Sequence, residues 1–333
     1  MNTKALKAKI LDLAIHGKLV PQNPEHESAE KLLERIRAEK EEKIAKGELK
    51  RDKKDSYIFV GDDKRHYEKF ADGTVKDIED EIPFEVPEGW AWTKLGHIFS
   101  HNTGKALNKS KLDGEYHEYL TTSNVYWDYF DLNTVSSMPF TESELPKCTI
   151  TKGDLLICEG GDIGRSNIWD KDYDICIQNH LHRLRAYLPV ETKLFYYWLM
   201  LFKQQNMIVG KGIGLMGFSS NLVHNLIIPL PPLEEQKQIV TKIEAIFSQI
   251  KCFENGKADL QAAIKHAKSK ILDLAIHGKL VPQDPSEEPA SKLLEKIRAE
   301  KEVKIAAGEL KRDKNDSYIY KNPSDNCHYE KFG

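Results

Sequence analysis

The chain has few cysteines and no framework in which to pair them: Cys148, Cys158, Cys176, Cys252 and Cys327 form an odd set of five, with no C-x-x-C spacing. That favours reduced thiols over disulfides. No apolar run approaches the ~20 residues that span a bilayer, and Met1, Asn2, Thr3 and Lys4 do not open a secretory leader. A cytoplasmic chain with no membrane association is the expectation. An excess of one charge is also missing, since 49 basic residues stand against 52 acidic ones for a net charge of −3. Affinity for nucleic acid must therefore come from local clusters. The hydrophobic fraction of 40% and charged fraction of 30% describe a globular chain with room for about two domains.

Catalytic motifs are absent too. Gly160, Gly161, Asp162, Ile163 and Gly164 lack both the G-x-G-x-x-G spacing and the Lys-Ser/Thr of a phosphate loop, and they read as a tight turn. Cys176, His180 and His182 fall one ligand short of a zinc set, so a core cysteine and surface histidines are the plainer reading. Asp154 and Glu159 have no recognisable nuclease or transferase partners. The residues point to a binding chain, not an enzyme, holding no metal and no cofactor of its own.

What is present is a long duplication. Residues 9–58 return without a gap as residues 270–319, identical at 41 of 50 positions, and residues 66–70 return as 328–332. One pair so far apart is not a short-period solenoid; it frames an insert, and the chain reads as half of something two-fold. The expected division is an N-terminal repeat copy at 1–70, a globular domain at 71–232, and a long spacer helix with the second copy at 233–333.

The spacer helix is predicted to start after Pro229, Leu230, Pro231 and Pro232, with Glu234 and Glu235 at its positive end. Ile243, Ile246, Ile250, Phe253, Leu260, Ile264, Ala267, Ile271 and Leu274 alternate three and four apart, broken only by Lys257 beside Gly256, as the a and d positions of a heptad do. Gly278 and Pro282 end it. In copy one Leu6, Ile10 and Leu13 take the places of Ala267, Ile271 and Leu274. A helix of about 14 residues is marginal alone, so it should dock on the long helix of its own chain or of a second one. Each copy adds a charged helix, at 29–46 and 290–307. Its apolar stripe (Leu32, Leu33, Ile36, Ile44; Leu293, Leu294, Ile297, Ile305) fits either a solvated helix with i,i+4 ion pairs or a docking helix for another subunit.

In the insert, strands are predicted at 155–158, 166–168, 175–177 and 182–186, and a buried helix at 194–207. The fold class is α+β: a globular domain with a mixed β-sheet, plus long antiparallel coiled-coil helices from the duplicated repeat. Two local clusters suit a phosphate backbone. Residues 101–111 carry Lys105, Lys109 and Lys111 with no acid, and residues 175–230 set Arg183, Arg185, Lys193, Lys203 and Lys211 against Glu191 alone.

The repeated Lys-Ile-Leu-Asp-Leu-Ala-Ile-His-Gly-Lys-Leu-Val-Pro-Gln, the Pro229 to Leu233 run leading into Glu234, Glu235 and Gln236, the Lys152 to Leu156 segment with its glycine turn to Arg165, and Leu120 to Val125 together resemble the specificity (S) subunit of type I DNA restriction-modification systems, over the whole length. The resemblance implies a non-catalytic subunit that recognises double-stranded DNA through a target-recognition domain. It implies docking to methyltransferase (M) subunits, which bring S-adenosylmethionine, and to an endonuclease (R) subunit that uses ATP and magnesium. Members usually carry two such domains. This chain has one, so a homodimer reading an interrupted palindrome is expected.

For DNA contact, Lys105, Lys109 and Lys111 are expected on phosphates. Thr122, Asn124, Arg165, Asn179, Lys211, Ser219, Ser220 and Asn221 are expected to read bases or support that reading. Arg165 is either a fork on guanine or a structural arginine on the glycine turn. The dimer or subunit interface is expected at Leu6, Ile10, Leu13, Ile243, Ile246, Ile250, Phe253, Leu260, Ile264, Ile271 and Leu274. A fused methyltransferase, a coiled-coil adaptor without DNA specificity, and a truncated or recombination-cassette subunit inactive alone are the rival readings.

Overall fold

The computed structural model describes residues 2–51, 55–107, 113–208, 217–282, 284, 286–313 and 316–332. The chain divides into two compact units, Met1–Gly256 and Lys257–Gly333. Among the described residues no helix is long and apolar enough to cross a membrane.

In the first unit, copy one opens with the helix Thr3–Ile15, capped by Asn2, whose Oδ1 accepts from the Ala5 amide at 3.1 Å. The helix ends at Gly17, which has φ +64° and would bring a Cβ to 2.3 Å from Pro87 Cγ. Only glycine both turns the chain there and lets it pack. The charged helix Ala29–Ala45 buries Leu32, Leu33 and Ile36. A hairpin of β1 (Ser56–Val60) and β2 (His66–Phe70) follows, extended by β3 (Val75–Asp77). It escapes the sequence reading because Tyr57, Ile58, Phe59 and Val60 do not alternate with polar residues.

The stripe of Leu32, Leu33 and Ile36 joins Trp90 and Leu95 in one apolar cluster. The docking helix of copy one thus docks on its own chain. The Ala29 amide donates to the Gly89 carbonyl at 2.8 Å. On β4 (Ala91–Lys94) the largely buried Lys94 ammonium pairs with the buried Glu68 carboxylate, and it also donates to Asn225 Oδ1 at 3.0 Å. The strand β4 itself pairs with Ile227–Leu230 late in the domain.

Two four-stranded sheets form the rest. The first is antiparallel, from β5 (Phe99–Thr103) through Leu181–Ala186 and Leu155–Cys158 to Ser166–Ile168. In the second, Ser136–Phe140 pairs with Glu115–Leu120, which runs parallel to Ile175–Ile177, itself paired with Thr149–Ile150. All four predicted strands are present, and the mixed sheet and α+β class hold. Along Leu155–Cys158, Leu155 and Ile157 enter one apolar cluster while Leu156 and Cys158 enter another, as alternation requires of a strand buried on both faces. The first cluster contains the helix Thr192–Gln204, buried from Leu194 to Leu199 and at Leu201 and Phe202. The second surrounds Trp169 and draws residues from both sheets.

The long helix is Leu233–Ile276, of 44 residues. The buried Glu235 carboxylate in its first turn accepts from Trp90 Nε1 at 3.1 Å and Gln22 Nε2 at 3.2 Å. Lys7 meets Glu254 at 3.4 Å while Gln22 meets Glu235, so the N-terminal helix lies antiparallel to the long helix of its own chain. Half of the predicted seam is filled internally: Ile243 and Ile250 are buried and Ile246 half-buried, whereas Phe253 is exposed. Leu6, Ile10 and Leu13 are only half-buried, and Leu11, Ala14 and Ile15 are buried instead. The face is rotated from the one predicted because the N-terminal helix also packs against Thr192–Gln204.

The second unit rebuilds the repeat. After the helix Ala290–Ala306, the strands Ser317–Lys321 and His328–Phe332 pair with Ile319 opposite Glu330, as Ile58 stands opposite Glu68. Lys301 bonds Asp316 at 2.6 Å as Lys40 bonds Asp55 at 2.8 Å, and Arg298 lies over Tyr318 as Arg37 lies over Tyr57. In this unit Leu260, Ile264 and Ile271 are exposed and Leu274 is half-buried. Replacing Leu32 by Ala is expected to cost about 2–5 kcal/mol, and the same change at its exposed counterpart Leu293 less than about 0.5 kcal/mol. Urea denaturation of the two variants makes the comparison; equal losses would contradict the difference in burial.

Candidate nucleic-acid interface

Strand register sets where the loops of the domain go. Leu181 stands opposite Cys158 and His182 opposite Thr103, while Ile177 is level with Leu120 in the parallel pair. The ends of Phe99–Thr103, Leu155–Cys158, Glu115–Leu120 and Ile175–Ile177, and the start of Leu181–Ala186, therefore reach one edge. Backbone bonds tie the emerging loops together. The Lys105 amide donates to the Ile177 carbonyl at 3.1 Å, Gln178 to Leu120 at 2.9 Å, and Asn179 to Lys105 at 3.0 Å. Glu159 donates to His180 at 2.9 Å and Phe218 to Glu159 at 2.8 Å. Gly104 is required at this crossing, since a Cβ there would fall 2.0 Å from the Ile177 carbonyl oxygen.

The sequence candidates fall on this edge in three ways. Thr122, Asn179 and Ser219 lie on its loops and Ser220 and Asn221 open the short helix Ser220–His224 that follows, with Ser219, Ser220 and Asn221 exposed and Thr122 and Asn179 half-buried. Lys105 and Asn124 are turned inward. The Lys105 ammonium donates to the Pro139 carbonyl at 2.7 Å and to Glu144 at 2.6 Å, holding the Glu144 carboxyl at about 2. It is not the free phosphate contact expected of a lysine in an acid-free loop, because its partner lies 39 residues away. Asn124 is buried, its Oδ1 accepting from the Thr121 amide and hydroxyl and its Nδ2 donating to the Asp131 carbonyl, each at 2.8 Å. It shapes the loop and presents no free amide. Lys109, Lys111 and Lys211 lie outside the described residues.

Arg165 joins two loops: its Nη2 donates to the Thr122 carbonyl at 2.5 Å and its guanidinium sits 4.7 Å from the centre of the Tyr126 ring. Tyr126 is stacked in turn on Tyr129, 4.6 Å away and within 4° of parallel, and Tyr129 is exposed. The sequence reading overlooks this stack, although three-residue spacing of tyrosines in an aromatic loop was its available signal. Beneath the edge, His182 Nε2 faces the Phe218 carbonyl at 2.7 Å and His182 Nδ1 faces His101 Nε2 at 2.9 Å. A carbonyl only accepts, so neutral His182 carries its proton on Nε2 and receives one from His101. Burial, helped by the nearby His182, pushes His101 down to about 3.

Cys176, His180 and His182 do not converge: Cys176 packs with Tyr119 and Met138, and His182 is engaged as above. Burial pushes the Cys158 thiol up to about 11, away from the thiolate that reacts. The edge offers hydroxyls, carboxamides and an aromatic face. That chemistry is suited to hydrogen bonding and stacking.

Comparison with known proteins decides the family. Residues 87–262, more than half of the chain, match the model described as the type I restriction modification DNA specificity domain. The chain belongs to this family. The specificity domain so delimited contains the whole edge. The chain is similar to the type I restriction enzyme EcoAI specificity subunit of Escherichia coli, 27% identical over 93% of this chain and 58% of that protein, and to the EcoEI specificity subunit of the same species, 25% identical over 93% and 57%. It thus spans less than two thirds of the length of these relatives. The crystal structure of the HsdS subunit from Thermoanaerobacter tengcongensis is 23% identical, with a TM-score of 0.43, over 60% of this chain and 47% of that one.

Two outcomes are expected of the specificity domain. Arg165→Ala removes a charged hydrogen bond and a cation–π contact that join two loops, and should lower stability by about 2 kcal/mol, read as a lower melting temperature. Arg165→Lys should not restore it, because lysine has no planar fork; an unchanged melting temperature would make the bond idle. His101 binds its proton in the unfolded chain near 6.5 but only near 3 when folded. Stability present above pH 6.5 should therefore be lost as pH falls toward 3, at about 1.4 kcal/mol per pH unit for this group. His101→Asn should flatten the pH dependence by that one proton.

Proposed function

We propose that this chain is a non-catalytic subunit that recognises double-stranded DNA for a type I restriction-modification complex, reading one half of an interrupted site with the sheet-edge loops of the domain at 71–232. The observation that carries the reading is the coincidence of the family match with an edge where loops from both sheets converge. Base edges are read by hydrogen bonds and apolar contacts, and sugar-phosphate contacts set register. Thr122, Asn179, Ser219, Ser220, Asn221 and Tyr129 supply groups of both kinds. Methyl transfer then falls to M subunits carrying S-adenosylmethionine, and cleavage to an R subunit using ATP and magnesium. The repeat copies at 1–70 and 233–333 frame the domain.

The exposed Phe253, Leu260, Ile264 and Ile271 continue an a and d pattern along the long helix. We infer that they pair two chains, which places two domains in one assembly and makes the site an interrupted palindrome.

The test is to map methylated adenines in a host without other methyltransferases that expresses this chain and its M subunit. A symmetric, interrupted motif is expected; no motif, or an asymmetric one, overturns the reading. Ile264→Asp puts a charge into the proposed seam and should abolish chain pairing while leaving the melting profile of the domain intact, as sedimentation and calorimetry would report. Ile250→Asp should instead unfold the first unit, where Ile250 is buried.

A further inference from the structure

The loop that follows Glu115–Leu120 closes into a short hairpin. Val125 and Phe130 bridge antiparallel, the Tyr126 amide donates to the Tyr129 carbonyl at 3.0 Å, and the Asp131 amide donates to the Asn124 carbonyl at 2.9 Å. The hairpin is fixed from two sides. The Trp127 carbonyl accepts from the Tyr196 hydroxyl of the buried helix, the two rings 5.6 Å apart, and Phe130 packs edge-on against the fully buried Trp169 at 5.0 Å. The tip is open: Asp128 is exposed, and Tyr129 is 56% exposed.

An exposed tyrosine by itself is ordinary, but this one is held in place. Its ring lies parallel to that of Tyr126, and Tyr126 also carries the Arg165 guanidinium. Among the described residues Arg165 lies over no other ring, so it and Tyr129 take opposite faces of Tyr126. The result is a column of guanidinium, ring and ring whose outer member is open to solvent. Asp128 beside it repels phosphate, so the tip is not built for the DNA backbone. An ordered aromatic face instead matches the face of a nucleobase, and a ring already fixed loses little freedom on stacking. In a regular duplex each base face is covered by its neighbours. The column can therefore engage only where the stack is broken. Resting on the function proposed above, we propose that Tyr129 is a specificity-determining residue that stacks on a base face exposed by such a break, at a base swung out of the helix or at a step opened between neighbouring pairs. It discriminates through the cost of breaking the stack, which depends on sequence and is lowest at pyrimidine–purine steps.

The test uses the full chain with its M subunit and a duplex carrying its mapped site. Tyr129→Ala is expected to weaken binding to that site roughly 5- to 100-fold and to leave binding to random duplex nearly unchanged. Tyr129→Phe keeps the ring and is expected to keep the affinity. Unchanged affinity in the alanine variant, an equal loss on both duplexes, or an equal loss in the phenylalanine variant overturns the stacking. Should Tyr129→Ala lower the melting temperature, the unaltered chain is irradiated instead with photoreactive halogenated bases placed one at a time through the site. Adducts on Tyr129 from one position identify a swung-out base and from two adjacent positions an opened step; none from any position overturns the proposal. An unaltered chain that does not discriminate its site from random DNA sinks the proposed function as well, whereas intact discrimination in Tyr129→Ala sinks the stacking alone.

Discussion

The helix Thr192–Gln204 is the constraint on which the first unit depends, because it is buried on nearly every side and each side meets a different part. Phe195 packs edge-on against Phe99 of the first sheet and Tyr197 against Phe247 of the long helix. Trp198 donates to the Pro229 carbonyl at 3.1 Å, and Lys203 to the Ile163 carbonyl of the glycine turn at 2.5 Å. Removing any of the large aromatic side chains would leave a cavity between the elements it joins. Through Lys203 this helix also holds the glycine turn at the loop edge.

Local structure was largely legible in the sequence. Runs such as Leu-Leu-Ile-Cys at 155–158, bounded by Gly153 and Gly160, have few alternatives to a strand, and the heptad-like row from Ile243 onward defines a long helix. Surroundings were much less legible. The repeat shows this plainly: identical stripes at Leu32 and Leu293 fold alike, yet one is buried and one open. Burial depends on what else lies nearby, which a local pattern does not contain. The rotated face of the N-terminal helix has the same origin, in a second neighbour that spacing alone does not reveal.

At the edge, composition picked out loops that the fold brings together but not the direction of their side chains. Lys105 looks free in an acid-free stretch, but Glu144 reaches it from a distant loop. Asn124, in Thr-Thr-Ser-Asn, looks like a surface amide and is the buried centre of its own turn. The spacing of Tyr126 and Tyr129 is local, but the arginine that covers the stack, Arg165, comes from 39 residues beyond Tyr126.

The inward turn of Lys105 has a consequence for how a polyanion is met. Lys105 is already matched by Glu144, and Lys203 by Asp162; neither can replace a condensed counterion on a phosphate without abandoning its carboxylate. For these side chains the approach of DNA gains little from counterion release. Under the proposed function, Lys105 and Lys203 therefore contribute little to the electrostatic steering of an encounter with DNA.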